Sequence, residues 1–340
     1  MELTERRRKI LSSIVNDYIK YGEPVGSKAI AEDVGVSSAT IRNEMATLIQ
    51  LGLLEQPHTS SGRIPTNRGY REYVDSLESE MPSKHDKSFF DSILSENSYD
   101  SEHLLICVPK LLAAYSKYIS LVSAPGAGGS RVKAVQFVQI SRRSAMLILM
   151  SSAGTVKNRI FQCDYDLTSE ITRLFFRVFN EKLRGMRISD ITIAFIQSTA
   201  VSLGELSMLS ASPLMALLEV ARETAKSEML VFGQMNLLFY PELEYQTVRE
   251  ILNFLDDKST VGRLLNSQQK NPAVLIGDET GRRELKDASV AMSKYQINRQ
   301  ENGCIAVIGP IRMNYQRTLS ALRYLSLHVS ETLKALTQDE

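Results

Sequence analysis

The apolar residues Ile10, Leu11, Ile14, Val15, Tyr18 and Ile19 recur at three- and four-residue spacing and predict a helix from about Thr4 to Tyr21, with Gly22 as its stop. Its polar face carries Arg6, Arg7, Arg8 and Lys9. After the turn Gly22-Glu23-Pro24-Val25-Gly26, Ser27 is suited to cap a short second helix whose Ala29, Ile30, Ala31 and Val34 face inward, closed by Gly35. A third helix is predicted from Ser38 to Leu51, begun by a serine hydroxyl and ended by Gly52. Two short helices around a tight glycine-containing turn make a helix-turn-helix. Leu53 to Glu55 and Arg63 to Thr66 read as two strands flanking the polar tip His58-Thr59-Ser60-Ser61-Gly62, the outline of a wing. A fourth helix follows, with Tyr70, Tyr73, Val74 and Leu77 along one side.

Residues 79–88 are polar and contain Pro82, which places a domain boundary there. A helical stretch is predicted from about Ser88 to Val122, then the loop Pro125-Gly126-Ala127-Gly128-Gly129-Ser130, then the strand-like runs VKAVQFVQI, SAMLILMS and TVKNRIFQC. A helix near Thr168 to Leu183 and a strand at Ile191 to Phe195 continue an α plus β pattern. Residues 203–270 are rich in Leu and Met and largely helical, with an aromatic patch from Phe232 to Tyr240. Strand character returns at Ala273 to Ile276 and Cys304 to Ile308, before an amphipathic helix from about Tyr315 to Leu336. The expected architecture is a multidomain α/β (α+β) chain in which one domain is interrupted by another. Leu214, Leu217 and Leu218, with Met215 and Met229 nearby, fit either the core of the interrupting unit or a surface that meets a partner.

At 340 residues the chain is long enough for two or three cores, and 43% hydrophobic with 23% charged residues is the composition of a globular protein. No run approaches the ~18 apolar residues that span a bilayer, and MELTERRRKILSS has no apolar signal core, so a cytoplasmic protein is expected. Cys107, Cys163 and Cys304 are odd in number and far apart, which suggests three buried, reduced thiols. The net charge of +1 gives no reason to expect a nucleic-acid partner, and the ten Lys and Arg residues among the first 76 are offset by ten Asp and Glu. Arrangement supplies the signal that composition lacks: residues 56–71 hold Arg63, Arg68 and Arg71 and no acid.

On the third helix, at about 100° per residue, Ile41, Met45, Leu48 and Gly52 fall in one sector that must face a core, while Ala39, Arg42, Asn43, Ala46 and Gln50 fall opposite. A guanidinium and two carboxamides set among small alanines are what a helix needs to enter a major groove and donate to base edges. The hydroxyls of Ser37, Ser38 and Thr40, with the free amides of the helix start, suit phosphate oxygens. At the hairpin tip, His58, Thr59, Ser60, Ser61 and Arg63 are candidates for contact with the duplex backbone or minor groove. A helix-turn-helix can also bind protein, but the arginine-bearing, acid-free wing favours double-stranded DNA.

Enzymatic readings find little. His58, His85, His103 and His328 lie in unrelated segments with no ligand or triad spacing, and neither GxSxG nor HExxH occurs. The Gly126 to Gly129 loop follows a helix and precedes a strand, the reverse of the order that cradles phosphate. Cys304 begins the apolar run CIAVIG and reads as a strand thiol. No metal and no cofactor is expected, and control of DNA binding by a small ligand is the principal alternative to control by other means.

The segments YGEPVGSKAI and SSATIRNEMATLIQLGLLEQPHTSSGRIPTNRGYREYVDSL near the start, and VLIGDE and GCIAVIGPIRMNYQRTLSALRY near the end, closely resemble the HrcA family of bacterial heat-inducible transcription repressors. Glu44 stands where the family pattern more often has Asp. The resemblance implies a winged helix-turn-helix DNA-binding domain over 1–80, a linker over 81–102, and a GAF-like domain in two parts, 103–202 and 271–340. It further implies an inserted, mainly helical dimerisation domain over 203–270. The implied activity is that of a homodimer on an inverted-repeat operator upstream of chaperone operons, kept active by a GroEL-type chaperonin and relieved by heat, with no membrane association.

Overall fold

The computed structural model describes residues 3–58, 61–78, 80–124, 129–152, 154–204, 207–226, 228–296 and 302–338. Helix α1 spans Glu5–Tyr21, begun by the Thr4 hydroxyl accepting from the Arg7 amide and ended by Gly22 in the left-handed conformation. It buries Ile10, Leu11, Ile14 and Val15, the predicted face. The second helix is shorter than expected. Residues 27–30 form turns, Ala29 is exposed, and only α2, Ala31–Val34, is helical. Helix α3 covers Ser38–Gln50, and the two-residue strands β1 (Leu54–Glu55) and β2 (Ile64–Pro65) pair antiparallel. A reciprocal pair of 2.9 Å backbone bonds between Val25 and Arg63 ties the inter-helix segment to the hairpin. Helix α4, Asn67–Ser76, closes the winged helix, with Tyr70, Tyr73 and Val74 buried.

The expected linker over 81–102 is instead structured. Ser83 caps α5 (Lys84–Asn97) and Asp100 caps α6 (Ser101–Ser116). Phe90 and Leu94, one helical turn apart on α5, are fully buried. Phe90 meets Tyr115 of α6 edge-on at 4.8 Å between ring centroids. These two residues at i and i+4 dock the helix, with Ile93 half-buried beside them and Phe89 exposed, and the polar stretch from Lys84 to Ser88 that begins it is what read as a spacer. The helix predicted to reach Val122 ends at Ser116, and the β-branched and aliphatic residues beyond it form strand β3, Ile119–Ala124.

That strand lies in a five-stranded antiparallel sheet ordered β7-β3-β10-β9-β8, in which β7 is Glu228–Phe232, β8 Ala273–Ile276, β9 Ala288–Gln296 and β10 Asn302–Pro310. Strand β9 was not foreseen. Alternation along β10 sends Ile305 and Val307 toward α6 and the last helix, α12 (Tyr315–Gln338), and sends Cys304, Ala306 and Ile308 toward α10 (Tyr245–Asp256) and α11 (Lys258–Asn266). Helices therefore cover both faces, and β10 is buried except at its first residue.

The chain leaves this sheet at the end of β3 and returns in its neighbour β7, where Ala124 lies opposite Glu228. Between them stands a second unit with its own apolar core: strands β4 (Val132–Gln139), β5 (Ser144–Ser151) and β6 (Val156–Gln162), ordered β4-β5-β6, covered on one face by α7 (Ser169–Leu183), α8 (Ile193–Ser202) and α9 (Ser207–Ala225). The interruption thus lies within residues 125–227 rather than over 203–270, and it is α/β rather than mainly helical. Helices α10 and α11, assigned by composition to the insert, belong to the larger sheet. The strand expected at Ile191 to Phe195 is the start of α8, because the Thr192 hydroxyl accepts from the Phe195 amide and caps a helix there. Leu214, Leu217 and Leu218 belong to the insert's core, whereas Met215 is 52% exposed and Met229 lies in β7. Cys163 and Cys304 are buried, but Cys107 on α6 is half-buried. Pro125 to Gly128 lie outside the described residues.

Candidate nucleic-acid interface

The third helix is fixed from three sides. Ser37 is its cap, its hydroxyl accepting from the Thr40 amide at 3.2 Å and lying 2.9 Å from the Thr40 hydroxyl. At the far end Gly52 takes a left-handed φ of 71°, which lets the Leu53 amide reach back to the Leu48 carbonyl at 2.9 Å. Along its length Ile41, Met45 and Leu48 are buried. With that side clamped, Ala39, Arg42, Asn43, Ala46 and Gln50 are all exposed, as is Ser37, while Ser38 and Thr40 are half-buried.

Helical periodicity alone missed one residue. Glu44, between Asn43 and Met45, is 8% exposed, and its carboxylate is gripped by two side chains of α1. Arg7 Nε donates at 2.8 Å; Arg6 donates through Nε at 3.1 Å and lies 2.9 Å away through Nη2. The Arg7 hydrogen bond, with both positive charges, holds this carboxyl below its usual pKa. Two guanidiniums over one carboxylate leave this edge of α3 net positive. The only sequence signal was an acid on a helix face otherwise free of charge apart from Arg42, with four basic residues on α1 to meet it.

The wing tip is held by its own polar groups. The Ser61 hydroxyl donates to the His58 carbonyl at 2.6 Å and accepts from the His58 amide at 2.9 Å, and the backbone closes the same turn. Arg63 is half-buried, with Nη1 donating to the carbonyls of Ser61 at 3.1 Å and Gly62 at 3.3 Å, so part of its guanidinium braces the hairpin. Gly62 runs so close to the inter-helix segment that a Cβ would lie 2.5 Å from the Val25 carbonyl carbon. His58 is exposed; Thr59 and Ser60 lie outside the described residues.

Of the other two arginines in the acid-free run, Arg68 is exposed, but Arg71 points into the protein. Arg71 Nε donates to Glu279 Oε1 at 2.9 Å and Nη2 to the Val274 carbonyl at 2.7 Å, docking α4 on the large sheet. Tyr70 packs on Tyr315 with centroids 5.9 Å apart, and Arg312 reaches the Ile19 carbonyl of α1 at 3.2 Å and Glu242 at 3.1 Å. The winged helix and the larger unit consequently share one buried apolar cluster.

Two family models match. Residues 2–78 fit the winged helix-turn-helix transcription repressor, HrcA DNA-binding, and residues 102–319 fit the HrcA protein C terminal domain. The chain belongs to the HrcA family. It is 34% identical over 347 residues to the heat-inducible transcription repressor HrcA of Acetivibrio thermocellus, covering 99% of this chain and 98% of that one. It is 35% identical over 337 residues to that of Clostridium perfringens, covering 98% and 99%. A crystal structure described as a hypothetical protein at 2.2 Å resolution superposes with a TM-score of 0.74 at 25% identity, over 98% of this chain and 99% of the other. As an HrcA-family member the chain is a transcription repressor with a DNA-binding winged helix, a non-enzymatic role. Among the described residues no group of three or more potential ligands converges to hold a metal, and no helix is long and apolar enough to cross a membrane.

Proposed function

We propose that this protein represses heat-shock chaperone operons in the cytoplasm by binding an inverted-repeat operator as a homodimer, with a GroEL-type chaperonin maintaining its activity. The observation that carries the reading is the exposed row Ala39, Arg42, Asn43, Ala46 and Gln50 on a helix whose opposite side is fully engaged. Arg42 is suited to guanine O6 and N7, and Asn43 or Gln50 to adenine N6 and N7. Ser37, Ser38 and Thr40 position the helix on phosphates, and His58, Thr59, Ser60, Ser61 and Arg63 follow the adjacent backbone.

The large sheet with helices on both faces is read as the GAF-like domain, and the insert as the dimerisation domain. What supports the second assignment is the uncovered face of the β4-β5-β6 sheet. There Val138, Met146 and Ile160 lie in one cross-strand row and Met150 and Val156 in another, with Ile148 between them. Val138, Val156 and Ile160 are 43%, 47% and 59% exposed. A sheet buries such a face against a second layer, and a second copy supplies one while doubling the contacts on a palindromic site.

Footprinting on the protein's own upstream region tests the whole reading. Two symmetric half-sites about one helical turn, or a multiple of it, apart are expected. Arg42→Ala should lower operator affinity by about 1 to 3 kcal/mol and flatten the base preference at one position per half-site. Unaltered affinity and preference in that variant would remove the recognition-helix assignment.

A further inference from the structure

On the α10/α11 side of the large sheet, at the end from which the insert departs, a half-open cleft of about 680 Å³ separates α11 from the strands. Its floor is a lateral row of three uncharged residues brought together by register, Met229 of β7 opposite Ser123 of β3 opposite Cys304 of β10. Burial pushes the Cys304 thiol up to about 12, so the floor carries no charge at neutral pH. One wall is a single face of α11, where residues at four-residue spacing, Lys258, Gly262 and Asn266, run beside Ser259, Arg263 and Ser267. Lys226 stands at the mouth.

The cleft therefore has three cations and, among the described residues, no carboxylate in its lining. The nearest acid on the helix, Asp257, is turned to its own cap, where its carboxylate accepts from the Ser259 hydroxyl at 2.7 Å and the Thr260 hydroxyl at 2.6 Å. Thr260 in turn accepts from Arg263 Nη2 at 2.8 Å, which orients that guanidinium ahead of any ligand. Gly262 leaves the middle of the wall bare, with open space where a Cβ would stand. The volume is that of a small-molecule site, and an uncharged floor under a cationic rim suits a compact neutral body bearing anionic groups.

From this arrangement we infer that the cleft binds a small organic dianion, a metabolite carrying phosphate or paired carboxylates. Strand β10 runs from the floor to Pro310, two residues before the Arg312 that holds α1, so an occupant rests on the strand that supports the winged helix.

Calorimetric titration of the full-length protein with sodium pyrophosphate and with sodium citrate, against sodium chloride at matched ionic strength, tests the site without reference to DNA. Saturable binding of either probe is expected, the preferred one reporting the anion chemistry. It should weaken at least ~10-fold in Lys258→Ala/Arg263→Ala, since that variant removes two of the three cations in the lining. Gly262→Asp, which adds a carboxylate where there is room for one, should abolish it with the urea midpoint unchanged. No saturable binding of either anion, or equal binding by wild type and both variants, overturns the assignment.

Discussion

Replacing Glu44 by alanine should loosen the recognition helix from α1. The Glu44 side chain is 10% exposed and receives its shortest bond, 2.8 Å, from Arg7, whose side chain is 25% exposed. A charge-assisted bond in such a setting contributes roughly 1.5 kcal/mol. Arg6 is 57% exposed, so solvent reduces its share to about 0.5 kcal/mol. The loss is therefore about 2 kcal/mol, read as a lowered urea midpoint for the winged helix. Acid gives an independent check. The pKa of Glu44 is depressed in the folded state, so its contribution is complete above the ordinary carboxylate range and disappears as the pH falls through the lower folded value. From about pH 5 downward the wild type should lose stability faster than Glu44→Ala, until the two curves meet. Glu44→Gln, which keeps one acceptor for Arg7, should fall between. If alanine costs less than about 0.5 kcal/mol at neutral pH, the size of a neutral surface change, or if the two curves run parallel into acid, Glu44 does not join α1 to α3 energetically.

Arg63→Ala is expected to weaken specific and non-specific DNA alike and to lower the slope of log affinity against log salt by about 0.9. Weaker binding at an unchanged slope, measured by fluorescence anisotropy, would leave Arg63 only its bonds to the Ser61 and Gly62 carbonyls. Ile148→Asp, at the centre of the uncovered sheet face, should turn dimer into monomer in sedimentation velocity without loss of helical signal. A variant that remains dimeric moves the subunit contact elsewhere.

The winged helix was legible because its signals are local. Buried positions on α1 and α3 follow a period of 3.6, Ser37 caps within three residues of its partner, and Gly52 ends α3 with a single backbone angle. The insert's strands were legible for the same reason, and so was the helix from about Thr168 to Leu183. The insert's limits were not. They are set by β3 pairing with β7, whose residues Ala124 and Glu228 stand about a hundred positions apart, and no periodicity within either strand announces that pairing. Composition then misled, since α10 and α11 resemble the insert in Leu content yet cover the large sheet.

The arginines of residues 56–71 show the same limit acting on function. As a sequence they form one acid-free run, from which only Arg63, at the hairpin tip, was read as a candidate for the duplex. In the fold their partners lie at very different distances along the chain. Arg63 bonds within its own hairpin, Arg71 bonds to Glu279 some two hundred residues away, and Arg68 alone of the three is fully surface-exposed. The positive charge available to DNA is consequently less concentrated in the wing than the run suggests. More of it belongs to Arg42 and to the α1 residues Arg6 and Lys9, which are exposed, with Arg6 held at the recognition helix by Glu44, whereas Arg8 is paired with Glu72 at 3.8 Å. Glu44, from the domain itself, orients α3 under two arginines, whereas Glu279, contributed by the larger unit, takes up Arg71 and docks α4.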